Sequence, residues 1–526
     1  MAVGPTLGTG LFIGAGQALA VGGPASLLIS YVLLSLLTYS MATSAAEVAS
    51  YMPSRHGTMV TNGYLYMSSS LGFAAAYLRW YSMAMLVPYE ISSAMVNLGL
   101  WNPGSTVAIR MCIITTIIVG FNFLPERLFR GSEHIFTRIK IGTMISLLVL
   151  SLSIGLGGAT GHDRWGFKYW RNPGAMREYL TTGGIGRFWG LFQCLLDSSI
   201  AFTFAPELIV HRAETPELTR HTEATEGVEP NTRFTIPSRV VTDVVQTAFP
   251  YILSSLAMGV MAPCNDPMLT NNGTGAGLSP FLIGLNAAQI RIVPVMAMIA
   301  ILLSSVASGR SFLYLSSRML FAMSELGHAP AWLKRRNRWD VPYAAVAMSA
   351  SFCSLAFLSA GISSSVVSNY FLRFVAGSGY LSWLVSCTVY RHFRQRMKAN
   401  RITDRYRFSV QPFATYLGMG SSAVLLAANG LSAAAPGILI GPRVVRMFTA
   451  YFGIAVFGCL YGVHRFQFLV PRRWRRSNEP NGGEERGHGS APERRTQVHA
   501  RAKSSPDPEI SQAFELQPTQ AMATEA

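Results

Sequence analysis

Twelve apolar runs of about twenty residues recur along the chain, near 1–20, 26–51, 72–98, 106–123, 134–157, 187–209, 243–262, 290–314, 342–361, 366–390, 412–435 and 445–464. A run of that length crosses the hydrocarbon of a bilayer as one α-helix and satisfies its own backbone polar groups there. The fold class predicted is therefore an all-α polytopic membrane protein with about twelve transmembrane helices. Composition agrees: half of the 526 residues are hydrophobic and 13% are charged, about half the charged fraction of a soluble domain.

The net charge of +17 is spread over short linkers and a tail rather than gathered on one patch. It reads as membrane topology and not as nucleic-acid binding. Basic residues fill the linkers after runs 4, 6, 8 and 10, for example Arg127 and Arg130, Arg212 and Arg239, Lys334 to Arg338, and Arg391 to Arg407, whereas 21–25, 99–105, 263–289 and 362–365 have no Lys or Arg. This bias predicts both termini in the cytosol, with the lipid bilayer as the immediate environment. One linker, 158–186, carries Arg164, Lys168, Arg171 and Arg177 on the predicted outer side. Asn272-Gly273-Thr274 is an N-glycan sequon on that same side. Residues 471–526 have few large apolar side chains and read as a disordered cytosolic tail. The six cysteines are scattered, and no His, Cys or carboxylate spacing suggests a metal, cofactor or enzyme site.

Two of the runs are poor helices. Gly4, Pro5, Gly8, Gly10, Gly14 and Gly16 crowd the first, and Ala201-Phe202-Thr203-Phe204-Ala205-Pro206-Glu207 interrupts the sixth. Such weak points survive in a membrane where they line a cavity, or where small residues let helices pack closely. Breaks at corresponding places in two halves point to a five-plus-five inverted repeat, the LeuT-like arrangement, with helices 1 and 6 broken. The predicted organisation is a transporter domain over 1–470, with repeats at 1–157 and 187–392 and two peripheral helices over 412–470. A zwitterion suits such a site: half-helix N–H groups receive a carboxylate, and unwound carbonyls receive an ammonium.

Gly8-Thr9-Gly10-Leu11-Phe12-Ile13-Gly14, followed by Gly22-Gly23-Pro24, resembles the first helix of the fungal amino-acid permeases, members of the amino acid–polyamine–organocation superfamily. The resemblance runs over about 1–465. It implies amino-acid import at the plasma membrane by proton symport, with a non-transporting amino-acid receptor or an inactive truncated permease as alternatives. It also implies that Thr6, Gly8, Thr9 and Gly10 cradle the substrate carboxylate, while Phe202, Thr203, Phe204 and Ala205 hold the ammonium and line the pocket. Thr203 takes the place of a family Ser, and Ala205-Pro206 stands where members usually show a Gly-containing tripeptide. Packing alone is the other reading of Phe202 and Phe204.

Ionisable residues within membrane runs are functional candidates by default. Glu47, Glu90, Lys140 and Glu207 are the coupling or gating candidates, a structural ion pair or a snorkelling side chain being the alternative for Glu90 and Lys140. Lys140 resembles the built-in cation of sodium-independent relatives. Two residues depart from the family: Arg79 replaces a neutral polar residue, and Arg310, in Ser308-Gly309-Arg310-Ser311, replaces Asn. Each needs a carboxylate, a backbone cage or water; pairing with Glu47, Glu90 or Glu207, a preference for an anionic substrate, and relaxed constraint in a chain that no longer transports are the alternatives. Arg373 raises the same question. Only seven residues precede Gly8, fewer than half a bilayer requires at about 1.5 Å per residue, so missing upstream sequence is expected.

Overall fold

The computed structural model describes residues 10–51, 66–101, 106–158, 165–213, 232–270, 277–289, 292–361, 363–399, 408–430 and 440–469. Thr6, Gly8, Thr9, Asn272 and the tail lie outside them. The described residues contain helices and no strand. Segment 1 is a wide π-helical turn at Gly10–Gly14 that leads into α1 (Ala15–Gly22). Gly23 follows at φ 85°, a left-handed geometry that glycine adopts freely, and it turns the chain into α2 (Pro24–Tyr51). Then come α3 (Ser69–Trp101), α4 (Val107–Asn122), α5 (Glu126–Gly155) and α6 (Gly183–Ser198). A 3-10 turn at Ser199–Ala201 ends α6, and helix resumes as α7 (205–213). Pro206 is the second residue of α7, where a missing N–H costs nothing. After these lie α8 (Thr232–Met261), a short α9 (Pro280–Ala287), α10 (Val293–Glu325), α11 (Tyr343–Ala350, continued as a 3-10 helix to Ala360), α12 (Ser364–Ala399), α13 (Phe413–Ala428) and α14 (Ile440–Leu469).

These elements make the twelve segments that the apolar runs predict. Among the described residues, seven helices are long and apolar enough to cross a membrane, and α3 and α12 are as long but carry charged residues along their length. Four helices outrun their apolar stretches: α5 begins at Glu126 rather than 134, α8 at Thr232 rather than 243, α10 runs to Glu325 rather than 314, and α12 to Ala399 rather than 390. All four extensions emerge on the side that carries the basic linkers. Part of the expected Arg391–Arg407 linker is therefore helix.

Segments that correspond between the two halves are neighbours in space. α2 lies along α8 and α3 along α10, the turn at Gly10 meets the turn at Ser199–Ala201, and α4 touches the helix of segment 9. Two apolar cores flank the broken helices. One joins segments 1, 2, 5, 6 and 7 with α9 and the first turns of α10, and includes Phe202. The other joins segments 3, 4, 8, 9 and 10 and includes Ile200, Phe204 and Leu208. The break in segment 6 thus lies on the seam between two packed bodies. The discordant outer linker has a structural use for one of its cations. Arg177 donates to the carbonyls of Ala20 (2.8 Å) and Cys264 (3.2 Å), tying down the ends of segments 1 and 7.

Candidate functional site

The two breaks meet. A Cβ added to Gly10 would lie a tight 3.2 Å from Ala201 Cα, so glycine lets the backbones approach this closely without displacement. Beside this contact is a cavity of about 30 Å³ lined by Gly10, Leu86, Tyr89, Glu90, Ile200, Ala201, Phe204, Ala205, Leu208 and Phe312. That volume holds roughly one or two waters, so the walls must part before an amino acid enters. The lining is apolar apart from the Tyr89 hydroxyl, the Glu90 carboxylate and backbone.

Of the expected binding residues that are described, Gly10, Phe204 and Ala205 line this cavity; Phe202 and Thr203 do not. Phe202 points into the first core, with its ring edge-on to Tyr31 (5.5 Å) and Tyr251 (4.9 Å). Thr203 faces α12: its carbonyl accepts from Trp383 Nε1 at 2.8 Å, and its hydroxyl donates to Ser199 O at 2.9 Å. The carbonyls of Phe202 and Phe204 accept from the N–H groups of Ala205 (3.0 Å) and Leu208 (3.1 Å). Turn N–H groups and a tryptophan thus each supply one donor to the carbonyls of Phe202, Thr203 and Phe204, and every such oxygen keeps a second lone pair.

The ionisable candidates fall into three groups. Glu90 lies in the cavity wall. Lys140, behind it on α5, donates to Ser308 Oγ on α10 at 2.7 Å, and the charges acting on it are Glu90, Glu133 and Arg310. Arg310 is 0% exposed. It pairs with Glu133, donates to Ser132 Oγ, and sits over the rings of Phe129 (4.3 Å), Phe136 (5.0 Å) and Phe121 (5.6 Å). A desolvated cation gains about 2 kcal/mol from one such ring, and the carboxylate supplies the counter-charge. The partner is thus Glu133 and not one of the three glutamates expected. The run boundary at 134 hides Glu133, although its spacing of seven from Lys140 puts both on one face of a helix.

Arg79 on α3 pairs with Glu207 on α7, beside the cavity residue Leu208, so the second departure from the family pattern has one of its expected partners. Glu47 lies apart. It accepts from Arg394 Nη1 (2.9 Å) and the Tyr390 hydroxyl (3.0 Å), linking α2 to α12. Asp197, in the last turn of α6, is a buried carboxylate that the sequence reading passed over. Gln193 donates to it at 3.0 Å, and Arg373 is the charge that acts on it. Among the described residues, no three His, Cys, Asp or Glu side chains group as metal ligands would.

The profile of the amino acid permease family matches residues 1–477. The chain is 33% identical over 476 residues to the probable proline-specific permease put4 of Schizosaccharomyces pombe, covering 89% of this chain and 82% of that relative. It is 32% identical over 480 residues to the proline-specific permease of Emericella nidulans, covering 90% and 84%. In fold it is similar to the crystal structure of a manganese transporter mutant from Eremococcus coleocola, with a TM-score of 0.56 over 90% of this chain and 94% of that one. Sequence identity there is 11%, so the likeness is one of fold alone. The architecture is the five-plus-five inverted repeat with helices 1 and 6 broken.

Proposed function

The chain belongs to the amino acid permease family, and from that premise we propose that it imports a neutral amino acid with a compact apolar side chain, by proton symport, across the plasma membrane. The observation that carries this reading is the cavity where the Gly10 turn meets the Ser199–Ala201 turn, lined by Leu86, Ile200, Phe204, Leu208 and Phe312. Its apolar walls suit a side chain without charge. Two relatives are named for proline, whose small ring fits that description.

In this proposal Thr6, Gly8, Thr9 and Gly10 offer N–H groups to the substrate carboxylate. The carbonyls over 202–205 receive the ammonium through their second lone pairs. Glu90 and Lys140, on either side of the seam, exchange the coupling proton. The Arg79–Glu207 pair closes the cytosolic side of the cavity, and Glu47 with Arg394 holds α2 to α12 on that side. Repeats 1–157 and 187–392 rock against each other about the two breaks, with both termini cytosolic, residues 412–470 peripheral and a glycan on Asn272.

Uptake of radiolabelled amino acids, proline among them, in a permease-deficient fungal strain at acidic and neutral pH tests the reading. Accumulation of neutral amino acids that rises with acidity is the expected result. Surface-resident protein without uptake would turn the reading to an amino-acid receptor. Uptake of charged amino acids alone would overturn the assignment of the cavity.

A further inference from the structure

α12 contributes nothing to the cavity wall, yet it grips the break in segment 6 at both ends. At the near end, the Tyr380 hydroxyl is hydrogen-bonded to Ser199 Oγ and donates to Leu196 O at 3.3 Å. At the far end, the Trp383 indole N–H donates to Thr203 O at 2.8 Å. Gly379 backs onto Thr203 so tightly that an added Cβ would overlap the threonine methyl. Residues 379, 380 and 383 share one face of the helix. Tyr380 and Trp383 are fully buried, among Met41, Leu196 and Cys387.

An unwound backbone in a dry core must find donors for its carbonyls, or it rewinds or recruits water. Thr203 O finds Trp383. Because that carbonyl is turned towards α12, the neighbouring residues are held in the opposite sense: Ile200, Ala201, Phe204 and Ala205 all line the cavity, while Thr203 does not. We propose that Trp383 and Tyr380 are positioning residues for substrate binding: they pin Thr203 and Ser199 and thereby fix Ile200 and Ala201 in the cavity wall, without touching the substrate. The inference rests on the permease reading for its link to transport, but the pinning itself is a property of the fold.

Two measurements test it. The first is hydrogen–deuterium exchange of the amides over 199–205 in purified protein, which needs no substrate. Trp383→Phe keeps most of the ring and loses the donor, and Tyr380→Phe removes a single oxygen. Each is expected to speed exchange over 199–205 by about tenfold while the rest of α12 exchanges as in the wild type. The second is proline uptake with surface protein quantified. In the same variants KM should rise on the order of tenfold, with the maximal rate per surface copy nearly unchanged, as when an interaction that serves binding alone is lost. Unchanged exchange in Tyr380→Phe, the milder variant, overturns the proposal even if Trp383→Phe fails to fold. Faster exchange with an unchanged KM overturns the link to binding. Faster exchange in a protein whose wild type carries no amino acid leaves the pinning standing and removes the permease reading instead.

Discussion

Arg310 on α10 and Glu133 on α5 form an ion pair enclosed by the rings of Phe121, Phe129 and Phe136. Two residues before Arg310, Ser308 accepts from Lys140, which lies two turns along α5 from Glu133. The two helices are therefore fastened at two levels, and the lower fastening is a charge pair whose cation is buried. A fixed cation at this depth is tolerated because its carboxylate and its aromatic cage come from the neighbouring helices.

Removing only Glu133 should be worse than removing both charges. Glu133→Gln leaves Arg310 buried without its counter-charge, a loss of about 3–5 kcal/mol for a fully buried pair and less here because Glu133 is partly exposed. The double variant Glu133→Gln/Arg310→Asn should melt closer to the wild type than the Glu133→Gln single variant does. Thermal unfolding in detergent measures both. Additive losses would mean that the two side chains do not interact.

Gly10→Val should abolish uptake while the protein still reaches the surface. The added Cβ alone would stand 3.2 Å from Ala201 Cα, and valine adds two more methyls at a residue that lines the cavity. Gly10→Ala, which asks Ala201 to give by a few tenths of an ångström, should retain reduced uptake. Normal transport by the valine variant would remove Gly10 from the site.

Phe202 and Phe204, two residues apart, should behave differently. Phe202→Ala empties a space between Tyr31 and Tyr251 and should cost about 3–5 kcal/mol of stability with selectivity unchanged. Phe204→Ala enlarges the cavity and should admit bulkier side chains. Competition of labelled proline uptake by leucine and phenylalanine reads this: inhibition should strengthen in the Phe204 variant only.

Much of this was legible in the chain because glycine and proline act locally. The crowding at Gly8–Gly16 and Pro206 marked both breaks, and apolar runs marked all twelve segments. What stayed hidden depends on where helices end and which way they face. Glu133 and Arg394 lie just past the apolar runs, on helical turns that continue into the polar zone, so both looked like linker residues. Trp383 and Tyr380 belong to a helix whose apolar residues surround it, so no stripe announces the face turned to segment 6. The opposed directions of Phe202 and Phe204 follow from turns that only the packed backbone defines.

The Arg79–Glu207 pair carries the last prediction. It joins α3, in the second core, to α7, whose Ile209, Val210 and Ala213 pack with α2 and α8, so α3 is held to that side while the pair is intact. Arg79→Gln strands a buried carboxylate and Glu207→Gln a buried guanidinium, each a loss of about 3–5 kcal/mol. If the pair is a latch, that loss falls on the closed state. A cysteine in place of Leu208, in a chain freed of the exposed Cys112 and Cys459, should then react about tenfold faster with a membrane-impermeant thiol reagent in inside-out vesicles. The exchanged pair, Arg79→Glu with Glu207→Arg, should slow that reaction again and restore part of the uptake. Equal reactivity in wild type and single variants would reduce the pair to a packing contact, and faster reaction from the outer face alone would reverse the assigned topology.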